Sequence, residues 1–243
     1  MIRCERLTMR FGDVVAVDRL DLEIAEGTIF GFLGRNGAGK TTTIRLLVGL
    51  LVPTSGTAVL AGRDIRRTPE AAKAVTGYVP DRPYLYDRLT GYEHLEFVAG
   101  LYGLQGREAR SRARQLLDEL GLGAQAGDLV ETYSHGMKQR LALAGALIHR
   151  PPILVLDEPM VGLDPESARD LRRRLRALAA AGTTVFLSTH SLAVAEEIAD
   201  RIGIVDRGRL VAAGTLRELQ AYEGGPGASL EDVFLAILAR EAV

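Results

Sequence analysis

Cysteine is almost absent from this 243-residue chain, which has a single thiol at Cys4. One cysteine cannot form an intramolecular disulfide, so we expect a buried or edge thiol in a reducing compartment. Excess charge is absent as well, since 30 basic and 31 acidic residues leave a formal net charge of −1. The chain therefore has no overall positive electrostatic field that would attract nucleic acid, and no nucleic-acid partner is predicted.

Long apolar runs are also missing. The longest, residues 141–148, is interrupted by Gly145, whereas a membrane-spanning helix needs about 20 apolar residues. Residues 1–6 contain no apolar signal segment. We therefore expect no membrane span, and a partner protein would have to supply any membrane role.

The chain does contain short apolar runs that alternate with longer helical patterns. This alternation predicts an α/β fold with a mostly parallel central sheet. Residues 28–33, 153–157 and 183–188 are apolar without alternation, as in strands buried on both faces. Residues 2–9 and 14–24 predict an N-terminal antiparallel β subdomain.

Helical patterns occupy the rest of the chain in two kinds of context. Helices are predicted at residues 41–50 and 165–181, the second with Pro165 in its first turn and Gly182 at its end. Between residues 90 and 150 no strand is predicted, and this purely helical block indicates an inserted α-helical subdomain. Its three helices are expected at residues 90–102, 107–120 and 136–149. The tail predicts strands at 202–205 and 209–211, a glycine-rich break at 224–227 and a capped amphipathic helix at 229–239.

Residues 34–41 read Gly-Arg-Asn-Gly-Ala-Gly-Lys-Thr and match the phosphate-loop pattern G-x-x-x-x-G-K-[ST]. The glycines let backbone N–H groups point at phosphate oxygens, and the following helix adds the positive end of its dipole. Lys40 would place a full charge on the β- and γ-phosphates, and the Thr41 hydroxyl would ligate Mg²⁺. A plain glycine turn would explain the glycines, but it would not explain Gly-Lys-Thr at the spacing from Gly34 that the phosphate-loop pattern requires. The predicted nucleotide contacts are Gly34, Arg35, Asn36, Gly37, Ala38, Gly39, Lys40, Thr41 and Thr42.

Two carboxylates end the second buried strand. Asp157 and Glu158 follow the run Ile-Leu-Val-Leu, and ligands of parallel sheets bind at this end of the strands. Asp157 would hold Mg²⁺, and Glu158 would polarise the water that attacks the γ-phosphate. Two acidic residues that merely terminate a strand are common, so the pair gains its meaning from the phosphate loop.

The segment 133–140, Tyr-Ser-His-Gly-Met-Lys-Gln-Arg, narrows the class of phosphate-loop protein. With Asp-Glu-Pro at 157–159, Gly-Leu-Asp at 162–164 and Ser-Thr-His at 188–190, it resembles the nucleotide-binding domains of ABC transporters. The resemblance covers essentially the whole chain, with the motifs in the family's order and approximate spacing. It implies a P-loop NTPase fold, an ATPase activity, and ATP and Mg²⁺ as ligands.

The resemblance also implies roles for residues outside the phosphate loop. Phe11 occupies the place of the aromatic that stacks on adenine, although an ordinary core aromatic is the alternative. Ser134 and Gly136 match the signature loop, which in the family contacts the γ-phosphate bound to a second subunit. Asp164 matches the loop that crosses to that subunit, and His190 matches the switch histidine that contacts the γ-phosphate.

Two positions depart from the family pattern. His135 replaces the first glycine of the common signature Leu-Ser-Gly-Gly-Gln, while the phosphate-contacting Ser134 and Gly136 are kept. Asp81 stands where the family usually has glutamine, which coordinates Mg²⁺ and hydrogen-bonds water at once. An ionised aspartate only accepts hydrogen bonds, so the substitution puts in question the coupling between ATP hydrolysis and the membrane partner. The negative charge of Asp81 would favour a metal ion, and we therefore count Asp81 as a metal-binding candidate.

We predict one ABC ATPase domain over residues 1–243. Its expected parts are a nucleotide-binding α/β core at 1–80 and 151–220, the helical subdomain with the signature at 81–150, and a C-terminal helical extension at 221–243. Segments 77–86 and 230–235, with the signature, look like stand-alone ABC-2-type subunits. The resemblance therefore implies a cytoplasmic protein on the inner face of the membrane, which energises a separate polytopic permease, with export favoured.

Hydrolysis is expected in a head-to-tail dimer with a second copy or a homologous subunit, because the signature loop has no use in its own nucleotide site. The alternative is a soluble ABC-type ATPase of a non-transport assembly, such as iron–sulfur cluster assembly. A nucleotide-binding regulator that hardly hydrolyses ATP is a third hypothesis, which Asp81 keeps open.

Overall fold

The computed structural model describes residues 1–222 and 227–241. The predicted glycine-rich break at 224–227 lies, apart from Gly227, outside the described residues. The strands, in chain order, are β1 (Ile2–Phe11), β2 (Val14–Ile24), β3 (Ile29–Leu33), β4 (Ser55–Leu60), β5 (Arg63–Asp64), β6 (Thr76–Val79), β7 (Ile153–Asp157), β8 (Thr184–Thr189), β9 (Arg201–Asp206) and β10 (Arg209–Gly214).

The helices complete the α/β fold. They are α1 (Lys40–Leu47), α2 (Pro69–Ala74), α3 (Gly91–Leu101), α4 (Gly106–Glu119), α5 (His135–Leu147), α6 (Pro165–Ala180), α7 (Leu192–Ile198), α8 (Leu216–Tyr222) and α9 (Leu230–Glu241), with 3₁₀ turns at Gly123–Gln125 and Val130–Thr132. No helix of the described residues is long and apolar enough to cross a bilayer.

Two sheets form the framework, as the sequence predicts. The antiparallel sheet has the order β2-β1-β4-β5. The six-stranded sheet has the order β10-β9-β3-β8-β7-β6 and is parallel except for the pairing of β10 with β9. Strands β3, β7 and β8 are buried along their whole length, which explains their continuous apolar runs.

Three apolar clusters fill the space between these layers. Aromatic rings of Phe30, Phe32 and Phe186 pack together between the two sheets. The opposite face of the parallel sheet shares a second cluster with α3, α4, α5 and α6. A third joins α8 and α9 to the β9–β10 edge. Cys4 is buried, and burial raises its pKa to about 12, so the thiol stays protonated.

Local signals explain most helix boundaries. Thr90 and Glu93 form a capping box at the start of α3, and Ser229 and Asp232 make the equivalent exchange before α9. Pro165 begins α6 as predicted. The prediction that the first helix reaches residue 50 is wrong, because α1 ends at Leu47 and Gly49 follows in the left-handed region.

Candidate nucleotide-binding site

The parallel sheet brings the predicted site residues to one edge. Strands β3, β8, β7 and β6 are successive neighbours, with Leu33 opposite Thr189 and Asp157 opposite Ser188. The loops after these four strands therefore open on the same side. They carry the phosphate loop, His190, Glu158 and Asp81 respectively.

Close packing fixes the phosphate loop between β3 and α1. Gly39 has a φ of 104°, and a Cβ there would lie 2.4 Å from the Ala16 carbonyl oxygen. A Cβ at Gly34 would lie 2.5 Å from the Val205 carbonyl oxygen. Both positions therefore require glycine. The intervening residues Arg35, Asn36 and Gly37 are exposed, Ala38 is buried, and Thr41 and Thr42 lie in the first turn of α1.

Hydrogen bonds to backbone carbonyls hold Lys40 inside the phosphate loop. Its Nζ donates a 2.8 Å hydrogen bond to the Gly34 carbonyl and lies 3.9 Å from Glu158 Oε1. Burial lowers the pKa of Lys40, while the carboxylates of Glu158 and Asp157 oppose this shift. The ammonium group is thus desolvated and directed toward the carboxylates at the end of β7.

Glu158 occupies a constrained position directly after β7. Its φ is 49°, in the left-handed region where a non-glycine residue costs about 1–3 kcal/mol. Its backbone N–H donates to the Ser188 carbonyl at 3.1 Å, and its Oε1 lies 2.9 Å from His190 Nδ1. The second oxygen, Oε2, is buried and has no hydrogen-bond partner in the described structure. An unpaired carboxylate oxygen at this point fits the binding of a water molecule.

Asp157 and Thr41 provide oxygen atoms that suit Mg²⁺. Asp157 is 2% exposed and accepts a hydrogen bond from the Ser188 hydroxyl. The described residues contain no group of three or more His, Cys, Asp or Glu side chains able to hold a metal. Mg²⁺ is usually bound by one or two protein oxygens together with substrate phosphates. The two residues therefore fit an ion that arrives with a nucleotide.

Asp81 lies on the same side of the sheet as Asp157, after the neighbouring strand. Val79 of β6 pairs with Leu156 of β7, so the residues after each strand are neighbours. Burial raises the pKa of Tyr78 to about 12, and the charges of Asp157 and Asp81 add to this effect. Both carboxylates therefore act on the Tyr78 hydroxyl, and Asp81 is exposed beside it.

Phe11 ends β1 with 49% of its surface exposed. It is therefore not an ordinary core aromatic. Stacking on adenine remains a prediction.

Ser134, Gly136 and Asp164 form a separate group. Ser134 caps α5, and Asp164 caps α6 by accepting from the N–H groups of Glu166 and Ser167. Hydrogen bonds from Ser167 hold the pKa of Asp164 below its usual value. No hydrogen bond or ion pair of the described residues joins this group to the phosphate loop.

Sequence reasoning missed two contacts. The Ser188 hydroxyl orients Asp157, and the only local signal was its place at the end of an apolar run. His135 Nε2 lies 3.3 Å from the Val161 carbonyl oxygen, and the absence of a side chain at Gly162 leaves room for its ring. This contact links the first residue of α5 to the loop before α6.

A family model described as "ABC transporter" matches residues 17–161. The probable multidrug ABC transporter ATP-binding protein YbhF of Escherichia coli is 39% identical over 241 residues, which cover 98% of this chain and 42% of that protein. This chain thus spans less than half of YbhF. The daunorubicin resistance ATP-binding protein DrrA3 of Streptomyces coeruleorubidus is 44% identical over 216 residues, covering 89% of this chain and 68% of DrrA3.

Solved structures agree with the fold. An ATP-binding subunit of an ABC transporter has a TM-score of 0.91 and 33% identity, and the match covers 98% of this chain and 99% of that one. A dimeric post-hydrolysis cassette, MJ0796 bound to ADP and Pi, has a TM-score of 0.80 and 27% identity, covering 89% of this chain and 99% of that one.

Proposed function

The chain belongs to the ABC transporter family, and we propose that it is the ATP-hydrolysing subunit of an exporter whose membrane-spanning part is a separate protein. The observation that carries the proposal is the convergence of Lys40, Asp157, Glu158 and His190 at one edge of the sheet. A cation for phosphates, an oxygen set for Mg²⁺ and a carboxylate for water are the parts that phosphoryl transfer to water requires.

In this proposal each residue has one task. Lys40 and the N–H groups of the phosphate loop bind the β- and γ-phosphates. Asp157 and Thr41 would hold Mg²⁺, which would neutralise charge on the phosphate oxygens. Glu158 orients and polarises the attacking water, and His190 fixes the Glu158 carboxylate while facing the γ-phosphate.

Ser134, Gly136 and Asp164 act in a head-to-tail dimer. No hydrogen bond or ion pair within residues 1–222 and 227–241 joins them to their own phosphate loop. Each stands at a helix N-terminus, where N–H groups favour an anion. The dimeric MJ0796 cassette supports this arrangement. Two ATP molecules would lie between two phosphate loops and two signature loops.

The membrane partner is expected to dock on exposed aromatics near the helical subdomain. Tyr84 is 95% exposed, and Tyr86 packs edge-on against Phe97, with ring centroids 5.0 Å apart. Exposed apolar clusters of this kind mark protein interfaces. We propose that a cytoplasmic helix of the permease covers them, which places the subunit on the inner face of the membrane.

Affinity purification of the tagged protein from detergent-solubilised native membranes tests this proposal. A polytopic membrane protein in stoichiometric amount is expected to copurify with the wild type. The double variant Tyr84→Ser/Tyr86→Ser is expected to copurify with at least about tenfold less of this membrane protein, because interface aromatics are frequent hot spots. Val52→Ser, which removes another exposed apolar side chain, serves as the control. Recovery only with soluble partners would instead favour the non-transport alternative.

Asp81→Gln tests whether this carboxylate contributes to metal binding. Because Asp81 is exposed and screened by water, its negative charge is expected to favour Mg²⁺ by about 1 kcal/mol, the value for unit charges about 4 Å apart at the dielectric of water. The variant is therefore expected to need about fivefold more Mg²⁺ for half-maximal ATP hydrolysis at a fixed ATP concentration. Asp118→Gln, at an exposed position of α4, makes the same substitution away from the site. An unchanged Mg²⁺ requirement would remove Asp81 from the metal site.

The same assay bears on the two alternatives. A regulator that hardly hydrolyses ATP would release phosphate at well below about one per minute even with its partner present. The wild type is instead expected to turn over at a rate typical of enzymes. No described feature favours iron–sulfur cluster assembly, and the relatives named above are described as ATP-binding proteins of drug transport or resistance.

A further inference from the structure

A cleft of about 380 Å³ separates α5 from α6 on the helical-subdomain side of the parallel sheet. This volume lies near the lower end of the range for small-molecule sites, about 300–1,000 Å³. Its lining contains none of the phosphate-loop residues, Asp157, Glu158 or His190. The cleft is therefore distinct from the nucleotide site, although Gly136 belongs to its wall.

The floor of the cleft is apolar. It consists of Val79 at the end of β6, Leu156 of β7, Leu143 of α5 and Leu171 of α6. Each of these side chains is at most 8% exposed. An apolar or aromatic group would therefore be removed from water against them, which is favourable in proportion to the area buried.

The rim of the cleft is cationic. Four guanidinium groups, those of Arg140, Arg169, Arg173 and Arg174, line it with only two carboxylates, those of Glu166 and Asp170. Asp170 pairs with both Arg173 and Arg174. Arg169 is exposed and has no ion-pair partner among the described side chains. The excess of positive charge favours an anion at the mouth of the cleft.

Two further features indicate a preformed site. The Arg140 guanidinium donates to the carbonyls of Gly136 and Leu120, each at 3.3 Å, so its position is fixed. Gln139 is 5% exposed, and its Oε1 has no hydrogen-bond partner in the described structure. A buried acceptor without a donor costs about 1–3 kcal/mol. A ligand that supplies an N–H or O–H group near the floor would satisfy it.

We propose that this cleft binds amphipathic anions, with the apolar body on the leucine floor and the acidic group among the arginines. The ligand would touch Gly136 of the signature loop and Ser167, which bonds to Asp164. Binding itself does not depend on ATP hydrolysis.

A pair of matched fluorescent probes tests the site in the nucleotide-free protein. 8-Anilinonaphthalene-1-sulfonate has an aromatic body, an N–H donor and a sulfonate, whereas N-phenyl-1-naphthylamine lacks the sulfonate. Saturable binding of the sulfonate at one site per chain is expected, at least about tenfold tighter than the uncharged probe. Binding that does not saturate, or that is equal for the two probes, would overturn the proposal.

Charge reversal at the rim locates the bound probe. Arg169→Glu/Arg173→Glu is expected to weaken sulfonate binding by at least about tenfold and to leave the uncharged probe unchanged. Arg63→Glu, at an exposed position of β5, makes the same type of change elsewhere. Equal sulfonate affinity in the rim variant and the wild type would overturn the assignment. Gln139→Leu gives a second measurement, because it removes the unpaired acceptor and is expected to weaken both probes.

Competition then distinguishes two sources of such anions. If decanoate displaces the 8-anilinonaphthalene-1-sulfonate probe, the natural ligand is assigned as a lipid-derived acid. If only naphthalene-1-sulfonate displaces the probe, the natural ligand is assigned as an aromatic acid. If neither competitor displaces the bound probe at saturating concentration, the proposal is overturned.

Discussion

Glu158→Gln is expected to slow ATP hydrolysis about 10²–10⁴-fold, the contribution typical of a positioned general base. The glutamine keeps the size of the side chain but lacks the charge that polarises water. ATP binding is expected to persist, because Lys40 and the phosphate loop are unchanged. The variant should therefore accumulate as an ATP-bound dimer. Phosphate release and light scattering with ATP and Mg²⁺ measure the two effects.

Glu196→Gln provides the control for that experiment. Glu196 is exposed on α7, close to His190 in sequence, so the same loss of a carboxylate occurs outside the site. Its hydrolysis rate is expected to match that of the wild type. If the Glu158→Gln variant releases phosphate at the wild-type rate, Glu158 is not the residue that activates water. A variant that remains monomeric at all concentrations would argue against the proposed dimer.

Lys40→Met is expected to weaken ATP binding about 30- to 5,000-fold. Removal of one partner of a buried charge pair costs about 2–5 kcal/mol of binding free energy. Saturation at 100 times the dissociation constant stabilises a protein by about 2.7 kcal/mol. For a chain of this size the gain corresponds to a rise in Tm of about 5–10 °C. The wild type should show this rise with ATP, and the variant should show at most about a third of it.

Lys73→Met removes a lysine from α2, where it forms an exposed pair with Glu70. Its Tm is expected to rise with ATP as in the wild type. The Tm without nucleotide must be recorded for both variants, because Lys40 lies near two carboxylates whose repulsion it reduces. A normal ATP-dependent rise in Lys40→Met would contradict the assignment of Lys40 to the phosphates.

Local patterns were sufficient to predict the sheet and the phosphate loop. The strands β3, β7 and β8 are apolar on both faces, and Gly39 and Lys40 occupy fixed offsets before a helix. Short elements were not predicted. The four-residue strand β6 contains Gly77, and its place at the sheet edge depends on pairing with β7, which is distant in sequence. Neither periodicity nor capping reveals such a strand.

The geometry of the site also depends on neighbours in space. The bond between Glu158 and His190 exists because β7 and β8 are adjacent, and a sequence pattern does not state which strands are neighbours. The backbone conformation of Glu158 is likewise set by its bond to Ser188. The cleft between α5 and α6 is made by side chains from several distant segments, and for this reason no motif indicated it.

The contact between His135 and the Val161 carbonyl has a consequence for how the two loops move during ATP hydrolysis. It ties the signature loop to the loop that carries Asp164, so we expect the two to move as one rigid piece rather than in succession. In the proposed dimer both loops would therefore approach and leave the second subunit together.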